Sequence, residues 1–292
     1  MMCFRQVTVL LFLLAVAAGG CRLFDEQAIV QGRSLLPPAR QSPDSVALEM
    51  MWVRLPAGDP LVSDAAWQDI DETPIDSAVR RELANNGFRA GVIRGALPDA
   101  LARALDGHTA ATDDTSDNAS PDGSNTAIDL VNEPIVRGRR KQLRRHERWE
   151  IQASDVYPSM PLLTTNGREL GGRTYSDGQA IYALGVDPQP DRTVLTELTP
   201  ELHYGQSRLR FTGGEEGVLR SMPMRDREVF DRMRLTVRLA PGEILVLMSM
   251  PNAGCRLGEY FHTVDSPQGR QQKLILLRLV QVPPSDTFAA EH

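Results

Sequence analysis

Arg234-Leu235-Thr236-Val237-Arg238-Leu239 alternates polar and apolar residues without a break. Successive side chains of a strand point to opposite faces, so Leu235, Val237 and Leu239 face a core while Arg234, Thr236 and Arg238 face water. Outward from this stretch further strand-like segments lie at 144–151, 180–184, 194–198, 207–211, 244–250 and 273–280. Gly, Pro, Asp and Asn clusters separate these segments, which is the spacing of an antiparallel β domain, expected over 133–282. Gly171-Gly172 and Gly213-Gly214 read as hairpin turns, where the backbone needs positive φ. The apolar runs 244–250 and 274–277 do not alternate and fit central strands covered on both faces. A membrane barrel is excluded by the arginines on the outer face and by an aromatic content of only 5%.

Upstream, residues 45–55 carry apolar side chains on both sides of a strand, with Val46, Leu48, Met50 and Trp52 opposed to Ala47, Met51, Val53 and Leu55. Ser63 or Asp64 caps a short helix to Ile70. Asp76 caps a second, in which Val79 and Leu83 share a face and Asn85-Asn86-Gly87 is the stop. Residues 88–93 read as a strand and 97–105 as a third helix. The order strand, helix, helix, strand, helix describes a small α/β module over 45–106 whose two strands could share one sheet. Trp52 and Trp67 would anchor a partner if exposed, though a core position is the commoner fate of such residues. The stretch 107–132 is rich in Gly, Ser, Thr, Asp and Asn, too polar to offset the entropy of ordering, and reads as a linker. The expected fold class is α+β, a small α/β module followed by a mainly antiparallel, sandwich-like or secretin-like β domain, with a tail at 283–292.

The chain opens with Arg5 before an almost wholly apolar stretch at 7–18, then Ala18-Gly19-Gly20-Cys21. A dozen apolar residues are too few to span a bilayer, which needs roughly 20, and fit a cleaved export signal over 1–20. The small residues before Cys21 resemble the lipobox of bacterial lipoproteins, with Ala18 where that family usually has Leu. The resemblance implies that Cys21 is acylated and becomes the mature N-terminus, and that no spanning helix is needed. Arg22, which is not Asp, implies the periplasmic face of the outer membrane rather than the inner. Residues 21–44, with Pro37, Pro38 and Pro43, read as a tether. Without the signal, 31 basic residues face 38 acidic ones, a charge of about -7 that argues against nucleic acid as partner.

Chemistry is sparsely marked. The five histidines are scattered, with no His-x-x-x-His or Cys-x-x-Cys pattern, no Gly-x-Ser-x-Gly elbow and no phosphate loop, so no catalytic, cofactor or metal residue is assigned. With Cys3 in the signal and Cys21 acylated, Cys255 stands alone, and a small buried thiol is its expected state. A rival expectation is a hydrolase or ligand site assembled in space from Glu201, His203, Asp177 and Cys255. The strongest charge feature is the run Arg137, Arg139, Arg140, Lys141, Arg144, Arg145 and Arg148, interrupted by Glu147 and Glu150. Alternation splits it between two faces; it is either a solvated edge strand or a patch for an anionic partner.

Three pieces in the last third, Pro241-Gly242-Glu243 before an apolar strand, Leu257-Gly258 with Phe261, and Lys273 to Leu277, resemble in order the closing part of the secretins of type II and type III secretion. In that family they form a strand, a turn and a final strand, and Thr199-Pro200-Glu201 is similar to another strand end. Met248-Ser249-Met250 stands where secretins usually carry Gly-Gly-Leu. The resemblance implies a β fold more than a pore. The expected function is a non-enzymatic, membrane-anchored envelope lipoprotein, a structural or interaction component related to secretion assembly.

Overall fold

Strand β1 (Ser45–Pro56) sends Val46, Leu48 and Met50 to one core and Val53 and Leu55 to another, as its doubled apolar pattern requires. The computed structural model describes residues 45–56, 58–59, 66–106, 136–213, 219–251, 254–267 and 269–283. The expected signal and tether with Cys21, the expected linker, and all of the expected tail but Pro283 lie outside the described residues. The fold is α+β, mostly antiparallel sheet with few helices.

β1 pairs antiparallel with β3 (Val136–Arg144) on one side and β12 (Gly269–Gln281) on the other. β12 is followed by β10 (Ile244–Ser249), and β10 by β2 (Phe88–Ile93). This sheet runs β2-β10-β12-β1-β3, with the short β11 (Thr263–Ser266) attached to β12. The expected division into modules at 45–106 and 133–282 is therefore corrected: strands of both share one sheet. β1 and β2 are apolar on both faces, and the similarly apolar β10 and β12 lie between them. A strand's periodicity reports which faces are buried but does not name its neighbours.

The second sheet is built on β6 (Glu169–Pro188) and β7 (Val194–Gly213), each 20 residues long. β4 (Trp149–Gln152) and β5 (Tyr157–Asn166) pair with different halves of β6, while β8 (Leu219–Val229) and β9 (Leu235–Leu239) pair with different halves of β7. Three expectations change here. Residues 144–151 are two strands separated by a turn in which His146 takes φ 61°, and 194–198 and 207–211 belong to the single strand β7. Gly171 and Gly172 are not a turn but lie within β6, opposite Thr164 and Leu163; Gly213 ends β7, and Gly214 is outside the described residues.

The inner faces of both sheets form one core, with Tyr182, Leu184 and Leu235 from the second sheet among Leu48, Leu245 and Leu277 from the first. The other face of the first sheet is covered by Trp67, from a 3-10 turn at Ala66–Asp69, and by Leu101 of helix α2 (Asp99–Asp106). Trp67 is thus core, its indole N–H on Met248 Sδ and the Arg89 guanidinium over its ring. Helix α1 (Ser77–Asn85) begins where Asp76 accepts from the N–H groups of Ala78 and Val79, and ends before Gly87 at φ 83°.

Leu257-Gly258-Glu-Tyr-Phe261, expected as a turn, is a short helix, α3 (Leu257–His262). A Cβ on Gly258 would stand 2.0 Å from the Gly87 carbonyl oxygen, and the Gly258 N–H donates to Asn86 O, so only glycine permits this approach. Phe261 then packs edge-on against Phe88 and Tyr182, tying α3 to both sheets.

Candidate functional site

The water-facing side of the second sheet carries Ile181, Ala183 and Gly185 on β6 opposite Glu201, Thr199 and Glu197 on β7. Ala183 and Gly185 are too short to reach the level of Arg148, Arg227 and Arg234 around them, and the difference leaves an open trough of about 530 Å³. At its floor Glu201 is 1% exposed. Arg148 holds it with a two-pronged contact, Nη1 to Oε1 at 2.8 Å and Nη2 to Oε2 at 2.7 Å, and also reaches Glu150 at 3.0 Å. A carboxylate can only accept, so His203 Nε2, 3.2 Å from Oε2, carries its proton and donates.

Burial pushes the Glu201 carboxyl up, but hydrogen bonds from Arg148 and His203 outweigh it and hold its pKa below the ordinary value. The hydrogen bond to Glu201 raises Arg148 in turn. The result is an ionised pair with both carboxylate oxygens engaged. The two-pronged guanidinium contact holds the carboxylate in its charged form and fixes its orientation on the trough floor.

Of the four residues proposed for an assembled site, only Glu201 and His203 meet. Asp177, at φ 52°, lies near Arg225. Cys255 is exposed, not buried as expected; at φ 56° its N–H donates to Glu259 Oε2 and its carbonyl accepts from Leu163 N. The turn before α3 faces solvent because those two backbone bonds fix it. His262 is fully buried with both ring nitrogens engaged: Tyr182 Oη stands 2.7 Å from Nε2 and the Lys273 carbonyl 2.8 Å from Nδ1. Among the described residues no group of three or more His, Cys, Asp or Glu side chains is placed to hold a metal, and no helix is long and apolar enough to cross a membrane.

The basic run occupies β3, the edge of the first sheet, and the turn after it. Arg139, Arg140 and Arg144 are exposed, and among the described residues none has a carboxylate at ion-pair distance. Lys141 lies 3.8 Å from Glu147 and Arg145 is 2.5 Å from Asp187; the side chain of Arg137 lies outside the described ones. The register adds a residue that the linear run omits: Arg140 stands opposite Glu49, and Glu49 opposite Arg278, which it approaches to 3.6 Å. Arg148, by contrast, is spent on Glu201. The alternation of Arg148 with the buried Trp149 carried the only sequence signal for that role.

A small apolar patch lies elsewhere, on the β5–β6 hairpin. Leu163 and Leu170 are 41% and 67% exposed. Leu170 pairs with Thr165, two residues from Leu163, so both side chains lie on one face. Leu209 of β7 is also exposed.

Comparison with known protein families, curated proteins and solved structures returned no match.

Proposed function

We propose that this protein is an envelope lipoprotein, anchored through acylated Cys21 on the periplasmic face, at the outer rather than the inner membrane. Its folded part works as a non-enzymatic interaction component, of the kind that serves in secretion or envelope assembly. The observation that carries this is the exposed Leu163–Leu170 face of the β5–β6 hairpin. Large apolar side chains held outside the core on a paired strand suit burial against another protein. Support also comes from the trough, where the buried carboxylate is tied into an ion pair with Arg148 and a hydrogen bond from His203. The export signal, the lipobox-like Ala18 to Cys21 and the secretin-like order of 241–277 supply the envelope setting.

A photo-crosslinking residue at Leu170 in the full chain tests this in cells. A discrete adduct, to a second copy or to one other envelope protein, that disappears in Leu163→Ser is expected. A chain that stays monomeric and uncrosslinked would overturn the reading.

A ligand-binding role is the second reading, favoured by the volume and small-residue floor of the trough. A hydrolase role has only the Glu201–His203 contact in its favour.

A further inference from the structure

We infer that the β3 edge and the adjoining face of the first sheet dock on anionic lipid headgroups, an inference that rests on the anchored reading above. Alternation from the register puts Arg140 and Arg144 on the same face as Glu49, and Arg278 joins them from β12. Arg139 and Lys141 project from the other side of the same edge. Among the described residues around this edge, six basic side chains, Arg139, Arg140, Lys141, Arg144, Arg145 and Arg278, stand against three carboxylates, Glu49, Glu147 and Asp187. The formal charge of -6 belongs to the whole chain; the described residues hold 28 Lys and Arg against 24 Asp and Glu. This cluster gives the β3 edge a local excess of positive charge, which draws it toward an anionic bilayer.

Ser45, the first residue of β1, pairs with Arg144. The first described residue of the fold therefore lies beside the basic edge. A strand partner fits less well, because a row of like charges along an edge deters strand addition. Headgroups suit it, since they offer separate negative charges that each arginine can meet independently. An arginine at an anionic surface strengthens binding by about fivefold, so Arg139, Arg140 and Arg144, which have no ion pair among the described residues, together give about 100-fold. That is weak for a free protein and enough to orient one already tethered, where the effective concentration is high.

The test uses the full chain carrying Cys21→Ala, which removes acylation, in flotation with phosphatidylcholine vesicles with and without phosphatidylglycerol. Recovery is expected to be greater on the anionic vesicles and to fall as salt rises. The triple variant Arg139→Glu, Arg140→Glu, Arg144→Glu should lose more than about 100-fold of that affinity, since it reverses three charges rather than removing them. The milder Arg→Gln triple serves if the first does not fold, as judged by circular dichroism. Equal recovery on both vesicle types, or a folded triple variant that floats like its parent, overturns the inference. So does preferential capture by poly-glutamate, which would assign the patch to an acidic protein. Fatty-acid labelling of the wild type against Cys21→Ala reports separately on the anchor: a wild type that takes up no label, with anionic-vesicle binding retained, overturns the anchored reading and leaves the headgroup surface standing.

Discussion

The Tyr182 hydroxyl donates to His262 Nε2 across 2.7 Å in the dry space between the two sheets. The direction is fixed by chemistry. His262 Nδ1 faces the Lys273 carbonyl, which can only accept, so the proton sits on Nδ1 and Nε2 is left as acceptor. Lys273 Nζ continues the chain to the Ala153 carbonyl. One polar thread thus joins β6, α3, β12 and the end of β4 through an otherwise apolar core. Tyr182→Phe leaves Nε2 buried without a donor and is expected to lower stability by about 1–3 kcal/mol in urea unfolding. An unchanged midpoint would show that the bond contributes nothing.

Acid should weaken the fold through the same histidine. Burial drives the His262 pKa down to about 3, whereas an unfolded histidine titrates near about 6.5. Between those values the unfolded chain takes up a proton that the folded one refuses, so stability falls as pH drops from about 6.5 toward 3. The loss is on the order of a few kcal/mol. Urea midpoints at stepped pH are expected to decline over this window, and His262→Gln should flatten the decline.

Gly258 and Gly185 are expected to respond oppositely to the same substitution. Gly258→Ala drives a methyl into the Gly87 carbonyl and should cost more than about 3 kcal/mol, or prevent folding. Gly185 has nothing within 4 Å of its would-be Cβ and no positive φ. Gly185→Ala should change the thermal midpoint by an amount equivalent to less than about 1 kcal/mol, and in either direction.

Asn86 pins the β5–β6 hairpin to α1. Its Nδ2 donates to Thr165 O at 2.9 Å while its Oδ1 accepts from Thr165 N at 2.8 Å, and Glu82 receives the Gly167 N–H beside it. Asn86→Ala leaves both Thr165 groups unpaired and should cost about 2–4 kcal/mol. Limited proteolysis near Arg168 should speed up in this variant before global unfolding; uniform protection would contradict the assignment.

Arg148→Met isolates the Glu201 carboxylate on the trough floor. Arg148 itself is 39% exposed, so solvent screens part of the pair and the expected loss is about 1–3 kcal/mol at neutral pH. Protonation of Glu201 removes the uncompensated charge, so the gap from wild type should narrow as pH falls through the carboxyl range. A gap that widens in acid would mean that the ion pair is not its source.

Residue pattern alone determined that 235–239 is a strand with its arginines in water, that β1, β10 and β12 are covered on both faces, and that α1 runs from the Asp76 cap to the Gly87 stop. Each of these follows from local periodicity or a capping group, which act over a few residues. The partners of those strands were decided only in three dimensions: nothing near β1 indicates that it lies against β12, more than 200 positions later, and so nothing local reveals that the two expected modules share a sheet. The same holds for the sites. The basic run was legible because its charges are adjacent in sequence, yet Arg278 joins it and Arg148 leaves it through cross-strand contacts. Glu201, His203 and Cys255 were plausible companions in the linear chain. The register sets the first two side by side on one strand face and sends the thiol to a solvent-facing turn, because strand pairing, not composition, determines which side chains meet.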